Sequence, residues 1–237
     1  MNKKKQWIKR FSEVDREKIV QLAKKYLRQK EGEKALCYLK NDRKISDEII
    51  NCFNIGFAPF NITHQLKGRI IFPIYDAYGK LSYLSTKSLI ISKGDKGHFW
   101  HEDFEKRFYL YGFNYAKNSI IERKKAILVE GEMDVAFLHS RGLCMTVGIC
   151  GSSFSIFQAS LLARYCSEVY IVFDGDEAGK KATHKVMQIY KDYSLDSYQI
   201  KYIPIYLPSK QDPDDYVNKY GINQFKKMLL NSKKKVW

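Results

Sequence analysis

Features that would place this chain in a membrane or in an oxidising compartment are missing from its sequence. No stretch approaches the ~18 consecutive apolar residues of a membrane-spanning helix, and the first ten residues, MNKKKQWIKR, lack the apolar core of a secretion signal. The five cysteines form no C-x-x-C pair, so their spacing favours neither a zinc site nor a disulfide framework. We therefore predict a protein without a membrane span and without zinc, most of whose cysteines are buried as small hydrophobic side chains.

Acidic residues are too few in the first half of the chain to balance its basic residues. The net charge is +15, and residues 1–125 contain 27 Lys and Arg against 14 Asp and Glu, whereas residues 126–237 contain 14 against 12. The basic excess of the first half favours a polyanionic partner such as nucleic acid. A lysine-rich composition with solvated basic faces is an alternative that charge alone leaves open.

The first part of the sequence has the patterns of helices followed by a hairpin. Ser12 is placed to begin a helix whose apolar residues recur at helical spacing. These residues are Ile19, Leu22, Ala23, Tyr26 and Leu27. Further along, the segment GRIIFPIYDAYGKLSYL predicts a β-hairpin. Pro73 lies in its first strand, which predicts an edge or end position there because proline donates no backbone hydrogen bond.

From residue 125 onward, strands alternate with helices. The segments KAILVE, CMTVGI, EVYIVFD and QIKYIPIYLP read as strands, with a helical pattern between each pair. Such alternation implies right-handed crossovers and a mainly parallel sheet. The sequence therefore predicts an α/β protein, in which a mixed α+β lobe precedes a parallel sheet flanked by helices.

Acidic residues follow three of these four predicted strands. They are Glu130 and Asp134 after the first strand, Asp174 and Asp176 after the third, and Asp212 and Asp214 after the fourth. Because the carboxyl ends of parallel strands lie along one edge of a sheet, we expect the six carboxylates to converge there. Their mutual repulsion requires a neutralising cation, and oxygen ligands without His or Cys favour Mg²⁺, with Mn²⁺ as a substitute.

Two of the three acidic groups also have an ordinary structural explanation. Asp174 and Asp176 are typical turn and helix-cap residues, and Glu130 alone fits a solvated acid at the start of a helix. A calcium-binding loop is disfavoured, because Ala178 and Lys185 stand where that loop needs ligands. The metal prediction therefore depends on finding all three groups within one α/β unit.

The motifs VEGEMD, FDGDEAGKKA and DPDDY, in this order and spacing, resemble the Toprim domain of bacterial DnaG-type DNA primases. Upstream, FNIGFAP, GRIIFPIYDAYGKL and FEKRFYLYGF resemble consecutive motifs of the primase polymerase core, and the resemblance covers roughly residues 30–222. It implies a basic N-terminal lobe over residues 1–124, a Toprim domain over 125–209, and an acidic motif with a helical tail over 210–237.

The resemblance also implies roles for particular residues. Glu130, Asp174 and Asp176 match the catalytic and principal Mg²⁺-binding acids, and Asp134, Asp212 and Asp214 match outlying acids of the metal site. Among the basic residues, Arg69 and Lys106 match positions that contact template or nucleotide phosphates. Lys87 stands where the family commonly has an arginine; arginine binds phosphate as a two-pronged fork and lysine as a point charge.

The expected function is that of a nucleotidyltransferase in DNA replication, which makes short RNA primers on single-stranded DNA from ribonucleoside triphosphates with Mg²⁺. The zinc-binding and helicase-binding domains of the family have no counterpart in this sequence, which predicts a primase of phage or mobile-element type. We expect it in the cytoplasm of a bacterial or phage-infected cell, with a replicative helicase or a separate zinc-binding protein as possible partners. Two alternatives stay open: a non-catalytic accessory subunit that binds single-stranded DNA, and a Toprim nuclease.

Overall fold

The computed structural model describes residues 11–59, 66–89, 99–101, 105–150, 153–193 and 199–232. The chain forms two compact units, Met1–Glu105 and Lys106–Trp237. Residues 106–124 thus group with the residues that follow them, and the three-part division at residues 124 and 209 stays a prediction. In the described part of the chain, no helix combines the length and the apolar character required to cross a bilayer.

The first unit begins with helices whose start signals are visible in the sequence. The helices are α1 (Glu13–Leu27), α2 (Glu33–Cys37) and α3 (Asp47–Cys52). Ser12 and Ser46 cap α1 and α3, because their side chains accept the Asp15 and Ile49 backbone N–H groups. The predicted first helix is confirmed, but its apolar face is narrower than expected, since Leu22 is exposed.

An antiparallel sheet completes the first unit. Its strands are β1 (Gly56–Ala58), β2 (Arg69–Tyr75), β3 (Leu81–Ser88) and β4 (Phe99–His101), paired in that order. The predicted hairpin is confirmed as β2 and β3, and Asp76 closes its turn by accepting the N–H groups of Tyr78 and Lys80 at 2.8 and 2.9 Å.

Pro73 lies in β2, which is an internal strand, so the prediction of an edge strand is wrong for β2 as a whole. The reason that proline is tolerated is local. β1 is short and pairs only with residues 69–71 of β2. Pro73 lies beyond that contact, and no described strand pairs with it on the β1 side, so its missing N–H breaks no ladder there.

The second unit is built on the predicted parallel sheet. Its strands are β5 (Lys125–Val129), β6 (Thr146–Gly148), β7 (Glu168–Phe173) and β8 (Lys201–Tyr206), in the spatial order β6-β5-β7-β8. The helices are α4 (Phe113–Arg123), α5 (Glu132–His139), α6 (Ile156–Ala163), α7 (Glu177–Asp192), α8 (Pro213–Tyr220) and α9 (Ile222–Ser232). The central strands β5 and β7 are almost wholly buried, as expected for a parallel sheet covered by helices. The predicted α/β class is confirmed.

The cysteines depart from expectation. All five are free thiols, but only Cys150 and Cys166 are buried, whereas Cys37, Cys52 and Cys144 are exposed. The prediction that most are buried is therefore wrong. Cys37 and Cys52 end the short helices α2 and α3, where the apolar pattern is too brief to indicate which side faces the core.

A close backbone contact joins the end of β7 to the loop that follows β8. The Gly175 N–H donates to the Gln211 carbonyl oxygen at 2.8 Å, and a Cβ added at Gly175 would overlap the Pro208 carbonyl oxygen. Only glycine allows this approach. The contact holds the segment that carries Asp174 beside the segment that carries Asp212.

We expect Gly175→Ala to lower the free energy of unfolding by about 3 kcal/mol, because the added methyl group forces the 208–211 backbone away. The change is measured by chemical denaturation monitored by circular dichroism. Gly142→Ala is the matched control: φ of Gly142 is +77°, yet an added Cβ meets nothing within 4 Å. The control should lose only about 1 kcal/mol from the left-handed backbone. Equal losses in the two variants would contradict the packing explanation.

Candidate metal centre

Acidic residues from adjacent strands meet at the carboxyl edge of the parallel sheet. Glu130 follows β5 directly and Asp174 follows β7, and these two strands pair side by side. The Asp174 backbone N–H donates to Glu130 Oε1 at 3.2 Å, which ties the two strand ends together. The predicted proximity of Glu130 to the Asp174–Asp176 segment is therefore observed.

Burial and the negative charge of neighbouring carboxylates both disfavour the ionised forms of these groups. The pKa of Asp174 is raised to about 7, first by burial and then by the negative charges of neighbouring carboxylates. In decreasing order of effect, these neighbours are Glu130, Asp212, Asp176 and Asp215. Burial also raises the pKa of Glu130, with a smaller contribution from Asp176, while the Asp174 N–H acts in the opposite direction. The edge thus concentrates carboxylates from the ends of β5 and β7 and from the start of α8.

Asp176 and Asp212 combine this position with helix capping. Asp176 caps α7, with Oδ1 accepting the Gly179 N–H at 2.8 Å, and Asp212 caps α8, with Oδ1 accepting the Asp215 N–H at 2.7 Å. The structural explanation of Asp176 as a cap is therefore correct, and Asp212 is a cap as well, but capping uses only one oxygen of each carboxylate. The other oxygen of each accepts no hydrogen bond that the described residues supply.

Asp134 and Asp214 have surroundings different from those of the other four acids. Both are buried, and Asp134 Oδ2 accepts the Gly131 N–H at 3.1 Å, closing the first turn of α5. Their place in the metal site stays a prediction. Asp215 is not among the six predicted acids, yet it contributes to the charge around Asp174. The sequence contains a signal for Asp215. With Asp212 as the helix cap, Asp215 falls one helical turn later, beside the cap.

The donor chemistry of the edge fits a hard divalent cation. Glu130, Asp174, Asp176 and Asp212 offer only carboxylate oxygens, the ligand type of Mg²⁺ and Mn²⁺. None of these four forms a salt bridge with a described residue. In their present rotamers, however, the described side chains include no group of three acids, histidines or cysteines close enough to hold an ion. The backbone thus brings the acids together, and side-chain rotation would be needed to complete a coordination shell.

The three predicted phosphate-binding residues have different surroundings. Arg69 is buried in the first unit, where its Nε donates to Thr86 Oγ1 at 2.7 Å and another guanidinium nitrogen donates to the Thr86 carbonyl oxygen at 3.2 Å. Lys87 is half-buried on β3. Lys106, in the second unit, is half-buried in a single 3₁₀ turn, Lys106–Phe108. Their contacts with phosphate stay predictions.

A cavity of about 440 Å³ lies away from these acids, at the amino edge of the parallel sheet. Its lining includes Arg123, Lys125, Leu143 and Leu229, and none of the predicted site residues. The carboxyl edge, rather than this cavity, is therefore the candidate site for chemistry.

Comparison with known proteins points to the part of the chain that contains these carboxylates. Residues 127–217 match the family model described as Toprim-like. DNA primase of Borreliella burgdorferi is 31% identical over 234 residues, which cover 84% of this chain and 44% of the relative. DNA primase of Aquifex aeolicus is 31% identical over 227 residues, covering 82% of this chain and 44% of the relative.

Solved structures of primase catalytic cores have a fold similar to that of this chain. The structure described as the DnaG catalytic core has a TM-score of 0.81 at 25% identity and covers 92% of this chain and 79% of that one. The E. coli primase catalytic core has a TM-score of 0.79 at 26% identity, and the match covers 90% of this chain and 78% of that one. The resemblance to the DnaG primase core is confirmed.

The primase resemblance covers only part of the relatives. The chain spans less than half the length of the curated DNA primases named above. All six predicted acids lie inside the Toprim-like range 127–217, whereas the three predicted basic residues lie outside it. The named relatives are bacterial, and an origin in a phage or mobile element stays a prediction.

The raised pKa of Asp174 makes stability depend on pH. Because the folded-state pKa of about 7 lies above the ordinary value of 3.8, the folded protein loses stability as the pH rises from about 4 to 7. In metal-free buffer at about pH 8, we expect Asp174→Asn to be more stable than the native protein by about 2 kcal/mol, a value reduced to allow for partial solvent screening. Thermal and urea unfolding across this pH range measure the difference.

Asp192→Asn is the control, since it removes the same charge at an exposed position at the end of α7. The advantage of Asp174→Asn should shrink as the pH falls from 7 toward 4, because the folded carboxyl is then protonated and the unfolded carboxyl approaches its ordinary pKa of 3.8. A native protein more stable than Asp174→Asn at about pH 8 without metal would show that the carboxylates do not repel as described.

Proposed function

We propose that this chain is the catalytic core of a DnaG-type DNA primase, a nucleotidyltransferase that joins ribonucleotides into short RNA primers during DNA replication. The observation that carries the proposal is the meeting of Glu130 and Asp174 at adjacent strand ends, within a segment that matches the Toprim family. The similarity to primase catalytic cores over about nine-tenths of the chain supports it.

The proposed cofactor is Mg²⁺, with Mn²⁺ as a substitute and no zinc. Glu130, Asp174 and Asp176 would be its principal ligands, and Asp212 would lie beside them. Asp134 and Asp214 would then support the site from buried positions. The metal would neutralise charge on the reacting phosphates. The protein's own contribution is to hold the carboxylates at one edge, through the strand pairing of β5 with β7 and the caps of α7 and α8.

The proposed substrates are a single-stranded DNA template and ribonucleoside triphosphates. A related structure, described as the DnaG primase catalytic domain bound to ssDNA, is 25% identical with a TM-score of 0.80, and supports the template. Arg69, Lys87 and Lys106 would contact phosphates. Because Arg69 is buried and bonded to Thr86, its role would include holding β2 against β3. A cytoplasmic location and a helicase or a zinc-binding protein as partners belong to the same proposal.

In the proposed reaction the 3′-hydroxyl of one nucleotide attacks the α-phosphate of the next, a new phosphodiester bond forms, and pyrophosphate leaves. In the protein without metal, burial keeps the pKa of Glu130 above its ordinary value. Glu130 would accept the proton of the attacking hydroxyl where its carboxylate is not itself bound to the metal.

Primer synthesis by the purified protein tests the proposal. With single-stranded DNA, labelled ribonucleotides and Mg²⁺, we expect short oligoribonucleotides, reduced roughly 100-fold or more in Asp174→Ala, because loss of a ligand weakens metal binding. Product lengths are read on denaturing gels. Glu130→Gln is a second variant with nearly unchanged shape, and Asp192→Ala is the control that should keep full activity. Shortened DNA would instead indicate a nuclease, and binding without either product an accessory subunit.

Metal removal gives a separate prediction. We expect EDTA treatment to abolish primer synthesis, and Mg²⁺ or Mn²⁺ to restore it while Zn²⁺ does not, because hard oxygen ligands without sulfur or imidazole prefer hard cations. Activity that persists after exhaustive chelation, or that only Zn²⁺ restores, would contradict the proposed carboxylate site.

A further inference from the structure

The second unit exposes an aromatic pair that the metal site does not use. The Phe108 and Phe157 rings have centroids 4.5 Å apart and are inclined at 54°, yet the two residues remain 43% and 45% exposed. The Arg107 guanidinium carbon lies over both rings, 5.0 Å from one centroid and 5.5 Å from the other. We name Arg107, Phe108 and Phe157 the aromatic platform.

The backbone of the platform is held in place by hydrogen bonds. Ser155 Oγ donates to the Arg107 carbonyl oxygen at 2.6 Å, and Gln158 Nε2 donates to the Tyr109 carbonyl oxygen at 2.6 Å. Gln158 is fully buried, and its Oε1 also accepts the Ser155 N–H, which closes a capping box at the start of α6. The 3₁₀ turn that carries Phe108 is thereby fastened to the helix that carries Phe157.

Strand topology places the platform at the same sheet edge as the acids. Tyr111 pairs antiparallel with Gly148 at the end of β6, through N–H···O bonds of 2.8 and 3.0 Å. Because this pairing is antiparallel, residues before Tyr111 extend past the carboxyl end of β6. The start of α6 also follows that end of β6. Arg107, Phe108 and Phe157 therefore belong to the edge at which Glu130 and Asp174 end their strands.

The side chains of the aromatic platform indicate which class of ligand it would bind. Two partly exposed aromatic rings beside a guanidinium suit a planar, uncharged ring attached to a phosphate, since nucleobases stack on both aromatic and Arg planes. A cationic ligand is disfavoured, because Arg107 already lies over the rings. Lys106, next in the chain, adds a positive charge for the backbone of a polyanion. Two exposed aromatic residues in contact form an apolar patch, which marks an interaction surface more readily than singly scattered residues do.

We propose that the aromatic platform stacks a nucleobase at the carboxyl edge of the sheet. The proposal rests on the proposed primase function and specifies its substrate contact. The base belongs to the single-stranded template or to a nucleotide, and the two sources share the same stacking chemistry. Because stacking depends on the ring face and not on base-edge hydrogen bonds, we expect it to be tolerant of sequence.

Binding without metal tests the platform separately from catalysis. A short fluorescein-labelled oligothymidylate is titrated in EDTA at several salt concentrations and followed by anisotropy. We expect Phe157→Ala to weaken binding by about tenfold or more, with an unchanged salt dependence because no phosphate contact is lost. Lys106→Ala should instead lower the salt slope by about one. Because primer synthesis is not measured, this assay can fail while the proposed function stands, and the reverse is also true.

Substitutions that separate stacking from packing make the test specific. Phe157→Leu keeps apolar bulk but removes the π face, so we expect it to bind as weakly as Phe157→Ala. Phe157→Trp keeps a π face and should bind like the native protein. Tyr193→Ala removes an exposed aromatic at the far end of α7 and should bind like the native protein. Thermal unfolding of each variant shows whether the fold is retained.

A second titration with a ribonucleoside triphosphate identifies the source of the base. Weakened oligonucleotide binding assigns the platform to the template, and weakened mononucleotide binding assigns it to the nucleotide; either supports the proposal. Native affinity for both ligands in Phe157→Ala, or restored affinity in Phe157→Leu, would overturn it. The pair would then serve to pack the 3₁₀ turn on α6 or to contact a protein.

Discussion

Repulsion between carboxylates held at one edge of a parallel sheet is the constraint on which the functional site depends. β5 and β7 pair in parallel and end on Glu130 and Asp174, and burial together with neighbouring charges raises the pKa of both acids. Such an arrangement lowers the stability of the folded protein unless a cation or a proton neutralises the negative charge. The surrounding structure holds the carboxylates together in spite of this repulsion. Such a loss of stability is expected at a functional site, where perturbed pKa values are common.

Helix capping and glycine packing supply the restraint. Asp176 and Asp212 each use one oxygen to cap a helix, so the same side chains that add negative charge also stabilise the elements that carry them. Gly175 lets the end of β7 lie against the loop before α8. The structural and the metal-binding interpretations of these acids are therefore compatible, because a carboxylate has two oxygens and a cap occupies one.

The edge of the sheet carries two kinds of chemistry. Carboxylates follow β5, β7 and β8, and the aromatic platform lies where β6 ends, across the pairing of Tyr111 with Gly148. The carboxylates suit a cation and the phosphates attached to it, whereas Phe108 and Phe157 suit the flat part of a nucleotide. Strand order thus separates the groups that would bind phosphate from those that would bind a base, while keeping them on one side of the sheet.

Much of this protein was determined by the sequence alone. The alternation of strands and helices predicted the parallel sheet, and acids after three strands predicted six carboxylates at one edge, because both patterns are local and periodic. Of these six, Glu130, Asp174, Asp176 and Asp212 meet there. Only the tertiary structure decided what depends on distant neighbours. It buried Asp134 and Asp214, unlike the other predicted acids. It also allowed Pro73 inside an internal strand beyond the end of β1, and joined Phe108 to Phe157 across 48 intervening residues. Contacts of this kind arise when separate segments pack together, and no local pattern in the chain encodes them.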